Sequence, residues 1–114
     1  CKHWRFKTPS IALASSSKIC HLYYEYKIEK DFVGMDMCRK FLEMGFTRAR
    51  RYANHKDGKK YDSEGNVKPQ ELDALTSPKA KSAKIFKRAR DHVAKDPVYV
   101  SMRKSWRENE YILS

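Results

Sequence analysis

Met44-Gly45-Phe46-Thr47-Arg48-Ala49-Arg50-Arg51-Tyr52-Ala53-Asn54-His55-Lys56 sets three arginines, a histidine and a lysine among apolar residues that keep helical spacing. Counting about 100° per residue from Met35, the side chains of Met35, Cys38, Leu42, Gly45, Ala49, Tyr52 and Ala53 fall on one flank, which should face a core. Lys40, Arg48, Arg51 and His55 gather on the far side, and Arg39, Arg50 and Asn54 form an adjoining strip. No Asp or Glu lies between Glu43 and Asp57. Neighbouring arginines on a helix repel by roughly a few tenths of a kcal/mol per pair unless an anion neutralises them. A polyphosphate backbone is the commonest large anion able to do so.

The helix containing this stretch is one of four that the capping chemistry predicts. Thr8-Pro9, Ser77-Pro78 and Asp96-Pro97 each pair an N-cap residue with a proline at the first helical position, and Asp31 can cap the second helix without one. The first helix is expected over about 9–29, with Ile11, Ala12, Ser15, Ile19, Leu22, Tyr23 and Tyr26 at helical spacing. The second carries the arginines and ends before the turn signal Asp57-Gly58. The third buries Ala83, Ile85, Phe86, Ala89 and Val93 and shows Lys81, Lys84, Lys87, Arg88 and Lys95 as a second basic face. In the fourth, Tyr99, Met102 and Trp106 line up. No segment alternates with the two-residue period of a strand. The fold class expected is all-α, a small bundle of about four helices in one domain spanning 1–114.

A long irregular loop, about 57–76, is expected between the second and third helices. Its turn formers and charges, including Lys59, Lys60 and Tyr61, fit either a solvated linker or a segment that orders on a ligand. Gly45 and Ala49 are small enough to admit a neighbouring helix closely, and the first helix is the expected neighbour.

The chain has 114 residues, 25 Lys+Arg against 14 Asp+Glu, and a formal net charge of +11, which favours a polyanionic partner. At 40% apolar content it can build one small core. No apolar run reaches the roughly 18 residues of a membrane span, so no membrane partner is expected. The lack of a signal-like segment leads to the expectation of an intracellular protein of undetermined compartment, and Cys1 in place of Met to that of a processed or partial chain. Cys1, Cys20 and Cys38 leave an odd thiol and form no disulfide framework. Cys20, His21, Cys38 and His55 lack the paired spacing of zinc ligands, so they are expected as core or surface residues and no metal or cofactor is expected.

Convergent catalytic groups are not apparent. Asp36 and Glu43 share a side of the second helix, but Asp36 suits a helix start and Glu43 can pair with Arg39 or Lys40. His55, Asp57 and Ser63 form no recognisable nucleophile-base arrangement, and there is no P-loop, dinucleotide fingerprint or nucleophile elbow. A non-enzymatic protein without a small-molecule substrate is expected. Trp4 and Phe6, interleaved with Lys2, Arg5 and Lys7, fit a hydrophobic staple near Leu13 better than a base-stacking platform. Tyr23, Tyr24 and Tyr26 are likewise expected in the core or at its rim.

His3-Trp4-Arg5-Phe6-Lys7-Thr8-Pro9, Asp31-Phe32-Val33-Gly34-Met35-Asp36-Met37, Arg39-Lys40-Phe41-Leu42 and the Met44–Lys56 run together resemble an uncharacterised domain-of-unknown-function family, number 4385, found in bacteria, viruses and eukaryotes. Lys79-Ala80-Lys81-Ser82-Ala83-Lys84-Ile85-Phe86-Lys87 and Asp96-Pro97-Val98-Tyr99 extend the resemblance over nearly the whole chain, with 57–76 its least family-like part. The resemblance implies a shared fold and supplies no activity.

The function expected from the residues is nucleic-acid binding, with RNA preferred, in an accessory or ribosome-associated subunit of a ribonucleoprotein. Arg48, Arg50, Arg51, His55 and Lys56 are the expected phosphate contacts, joined by Lys59 and Lys60 of the loop and Lys84, Lys87 and Arg88 of the third helix. A DNA-binding helix bearing Arg and Asn, or a module that docks an acidic protein, are the alternatives.

Overall fold

The computed structural model describes residues 8–55, 60–71 and 74–113. Four helices follow in order: α1 (Pro9–Ile28), α2 (Phe32–Asn54), α3 (Pro78–Ala94) and α4 (Pro97–Leu113). Each boundary has a local cause. The Thr8 hydroxyl accepts from the Ile11 amide at 3.2 Å, Asp31 from Gly34 at 3.1 Å, Ser77 from Ala80 at 3.2 Å and Asp96 from Val98 at 3.1 Å. Each satisfies an amide that the first helical turn leaves without a partner.

The turn from α1 into α2 takes three residues. The Asp31 amide donates to the Tyr26 carbonyl at 2.9 Å and that of Lys30 to Lys27 at 3.1 Å, the crossed pair of a Schellman ending. That ending needs a left-handed residue, and Lys30 supplies it at φ 58. A side chain there bears strain that glycine would not. The tight turn brings α2 back along α1, and α3 returns along α2, as the Glu43–Arg90 and Tyr52–Lys79 contacts require.

The core sits where the first three helices meet. Ala12, Ile19 and Tyr23 of α1, Met35, Cys38 and Leu42 of α2, and Phe86 and Val93 of α3 are buried together, and Tyr99 closes the cluster from α4. Met35, Cys38, Leu42, Gly45, Ala49 and Ala53 are all buried, as the stripe predicted; Tyr52 is only half-buried. Burial pushes the Cys38 thiol up to about 11, and the nearby Cys20 adds to the shift. Cys38 is therefore a protonated core group at neutral pH.

The helices approach closely at Gly34. A Cβ on Gly34 would lie 2.4 Å from the Tyr26 ring, so this residue lets α1 and α2 converge beside their turn. Gly45 is buried as well.

About 23 residues separate α2 from α3, and part of that segment has more order than an irregular loop. Tyr61 and Val67 form an isolated antiparallel bridge. Asp62 Oδ1 accepts from the amides of Glu64 and Asn66, both at 2.9 Å, and Gly65 turns the chain at φ 84. Aspartate at the start and glycine in the left-handed position are what such a turn requires. The Glu71 amide donates to the Asn54 carbonyl at 2.7 Å, which pins the segment to the end of α2.

Carboxylates hold the helices together. Asp36 of α2 accepts from the Tyr99 hydroxyl of α4 at 2.6 Å and from Arg39 Nε at 2.9 Å, with Lys40 Nζ at 3.5 Å. Asp96, at the α3–α4 junction, accepts from the Tyr23 hydroxyl of α1 at 2.7 Å and pairs with Lys27 at 2.9 Å. Glu43 pairs with Arg90 of α3 at 2.9 Å, not with Arg39 or Lys40 on its own helix. Arg90 wins because it reaches from a packed neighbour, its guanidinium 5.1 Å from the centre of the Phe46 ring.

Two expected outcomes follow from this packing. Gly34→Ala should overpack the Tyr26 contact and lower stability by about 1 to 3 kcal/mol, outweighing the roughly 1 kcal/mol that alanine gains in helix propensity; chemical denaturation measures the balance. For Asp36, partial burial pushes the carboxyl up, but hydrogen bonds from Tyr99 and Arg39 outweigh it and hold the group below the ordinary carboxylate range. The stabilisation is therefore present above the unfolded value of about 3.9 and is lost as pH falls through the folded value. Asp36→Asn should cost about 1 to 3 kcal/mol at pH 7, and its deficit against the parent should shrink as pH drops below about 4. A deficit constant across that window would remove the charge from the explanation.

Candidate functional site

The expected phosphate contacts divide into outward and inward groups. Arg48 and Arg51 of α2, Lys60 of the loop, and Lys84, Lys87 and Arg88 of α3 are exposed. Arg50 and His55 are turned in. Lys56 and Lys59 lie outside the described residues.

Arg50 is half-buried, and its Nη2 donates to the Ala74 carbonyl in the segment before α3. Its Nε is buried without a hydrogen-bond partner. His55 closes the C-terminal end of α2, only 6% of its surface exposed, and its Nδ1 has no hydrogen-bond partner. Arg50 ties the segment before α3 to α2, and His55 is buried at the end of that helix. A helical projection, which contains one helix alone, leaves both in solvent.

Among the described residues, Arg51, Lys84, Lys87 and Arg88 take part in no ion pair. The nearest acids are engaged elsewhere: Asp36 by Arg39 and Lys40, Glu43 and Asp91 by Arg90, and Asp96 by Lys27. Asp91 is held below the ordinary carboxylate range first by its hydrogen bond from Arg90, then by the nearby Lys95 and Lys87.

The two basic helices are linked at one end by a contact the sequence did not single out. Lys79, in the first turn of α3, stands 5.9 Å over the Tyr52 ring of α2, and Tyr52 lies between the arginines and the core. Tyr52 was legible as a stripe residue, but its cationic partner 27 positions away in sequence was not. At the opposite end, a second grouping also escaped the sequence: Tyr24 and Lys27 of α1 meet His92 of α3, where the Tyr24 hydroxyl and His92 Nε2 share a hydrogen bond. The α1 spacing of Tyr24 and Lys27 was the available signal; what faces them depends on the register between helices.

Among the described residues there is no group of three or more His, Cys, Asp or Glu suited to a metal ion, and no helix long and apolar enough to cross a membrane. The site is thus a surface of cations with aromatic neighbours, able to bind an anion by charge and by guanidinium hydrogen bonds.

The two adjacent arginines should separate on substitution. Arg50→Gln should destabilise the protein by about 1 to 3 kcal/mol, because the Ala74 carbonyl loses a charged donor, whereas Arg51→Gln should change stability by less than about 0.5 kcal/mol, as surface substitutions do. Thermal unfolding of both variants measures this, and equal losses would place Arg50 outside the loop contact.

No curated protein and no solved structure matches this chain. The family model described as Domain of unknown function (DUF4385) matches residues 1–109, and the chain belongs to that family.

Proposed function

We propose that the protein binds nucleic acid, RNA in preference to DNA, by gripping the phosphate backbone with the outward cations of α2 and α3. The observation that carries this reading is the division of charge: Asp36, Glu43 and Asp96 are engaged in contacts that tie helix to helix, while Arg51, Lys84, Lys87 and Arg88 are exposed and, among the described residues, take part in no ion pair. With a formal net charge of +11, such a surface lowers its own repulsion when it displaces the counterions of a polyphosphate.

The preference for RNA is supported by how α2 ends. A major-groove helix would need Asn54 and its neighbours free to meet base edges. Asn54 is half-buried, and its carbonyl accepts from the Glu71 amide. The open cations suit backbone contacts, which fit a role as an RNA-bound accessory or ribosome-associated subunit.

A salt titration tests the proposal against a homopolymer RNA, a duplex DNA and an acidic polypeptide. The parent should bind the RNA most tightly. A variant with Arg51, Lys84, Lys87 and Arg88 all changed to Gln should show a slope of log K against log salt shallower by roughly two to three units, with helicity nearly unchanged. An unchanged slope would overturn the assignment of these residues, and tightest binding to the acidic polypeptide would replace RNA with a protein partner.

A further inference from the structure

A groove of about 480 Å³ opens between the C-terminal halves of α1 and α3, beside the start of α4. Its size lies within the roughly 300 to 1,000 Å³ of small-molecule sites, and its lining joins aromatic rings, Tyr24 of α1 and His92 of α3, to the cations Lys27 of α1, Arg88 of α3 and Lys95 at the α3 cap.

Tyr24 differs from the tyrosine beside it. Tyr23 is buried, and its hydroxyl is committed to Asp96. Tyr24 leaves 41% of its surface exposed yet is held on several sides. Its hydroxyl is bonded to His92 Nε2, the Tyr23 ring meets it edge-on at 5.4 Å, and Lys27 Nζ stands 5.7 Å from its ring centre. An exposed ring fixed in advance can accept a planar partner with little further ordering.

The groove also favours an anion. Its two carboxylates are already engaged: Asp91 by Arg90 at 2.8 Å, and Asp96 by Lys27 at 2.9 Å and the Tyr23 hydroxyl. The lining holds three formal cations, Lys27, Arg88 and Lys95, against two carboxylates, and among the described residues Arg88 is in no ion pair. A flat ring and a phosphate within one span are the chemistry of a nucleotide.

We propose that this groove takes one nucleotide, its base stacked on Tyr24 and its phosphate held by Arg88 and Lys95. As a subsite for a strand it rests on the nucleic-acid reading above; a free nucleotide presents the same chemistry, and the test separates the two sources. Adenosine 5′-monophosphate, inorganic phosphate and an eight-residue oligoadenylate are titrated into the full chain while the Tyr24 ring and His92 imidazole signals are followed by NMR. Parent, Tyr24→Leu and Arg88→Gln are compared, and the second variant changes an exposed residue that, among the described residues, is in no ion pair.

The monophosphate should move the Tyr24 and His92 signals saturably, and phosphate alone should leave the Tyr24 ring signals unmoved. Tyr24→Leu should weaken the monophosphate at least tenfold and weaken the oligoadenylate without changing its salt slope, because the charge is the same. Arg88→Gln should weaken the monophosphate several-fold while the Tyr24 signals still respond at saturation. If the oligoadenylate binds with full salt dependence while Tyr24 and His92 stay unmoved, the groove proposal is wrong and the nucleic-acid reading stands. If the monophosphate binds and the oligoadenylate does not, the nucleic-acid reading falls and the groove is a free-nucleotide site. Monophosphate binding of parental strength by Tyr24→Leu would overturn the stacking assignment.

Discussion

Two tyrosine hydroxyls, each donated to an aspartate on another element, set the arrangement of this bundle. Tyr99 on Asp36 fastens the start of α4 to α2, and Tyr23 on Asp96 fastens α1 to the α3–α4 junction. Both tyrosines are almost fully buried, so neither hydroxyl has ready access to water and each must find a partner inside. Burial, then the hydrogen bond to Asp96, pushes the Tyr23 hydroxyl well above the ordinary phenol range; burial and Asp36 do the same at Tyr99. The phenols therefore remain donors at any ordinary pH. The aspartates stay ionised because Arg39 and Lys27 stand beside them. Asp36 and Asp96 are thus engaged in tying the core and are not left to balance the cations of the surface.

Features governed by a few consecutive residues were legible in the sequence. Thr8-Pro9, Ser77-Pro78 and Asp96-Pro97 mark helix starts because a capping oxygen and a proline solve the same first-turn problem side by side. The apolar stripe of α2 was legible for the same reason, as a property of one helix. Lys30 shows the limit. A Schellman ending is commonly signalled by glycine, and here a lysine takes the left-handed position because the short α1–α2 turn demands it. Gly34 was equally silent, since its closeness to Tyr26 exists only once two helices meet.

The arginine run was legible as a dense charge and illegible as a set of separate roles. A helical projection gives Arg50 and Arg51 nearly equal access to solvent, because it contains nothing but the helix. The segment before α3 breaks that symmetry by presenting the Ala74 carbonyl to Arg50. Removing Arg50 from the outer face also eases the repulsion that made the run conspicuous, since one guanidinium now answers a carbonyl. Glu43 carries the same lesson. Neighbours on its own helix were plausible partners, yet Arg90 reaches it from α3 with Phe46 beneath its guanidinium.

The cations around the α1–α3 groove do not carry equal weight as signs of a ligand. Lys27 lies in the last turn of α1 and Lys95 caps α3, where positive charge is favoured by the exposed carbonyls of a helix end. Lys27 additionally holds Asp96. Their placement has a structural cause whether or not anything binds. Arg88 lies almost two turns before the end of α3, too far to gain from the helix terminus, and no described carboxylate pairs with it. Tyr24 is parallel to it in logic: its ring is fixed by three neighbours yet left open, while the adjacent Tyr23 is buried. These two side chains are the part of the groove that folding alone does not account for, and they carry the two halves, ring and phosphate, of the ligand the groove would take.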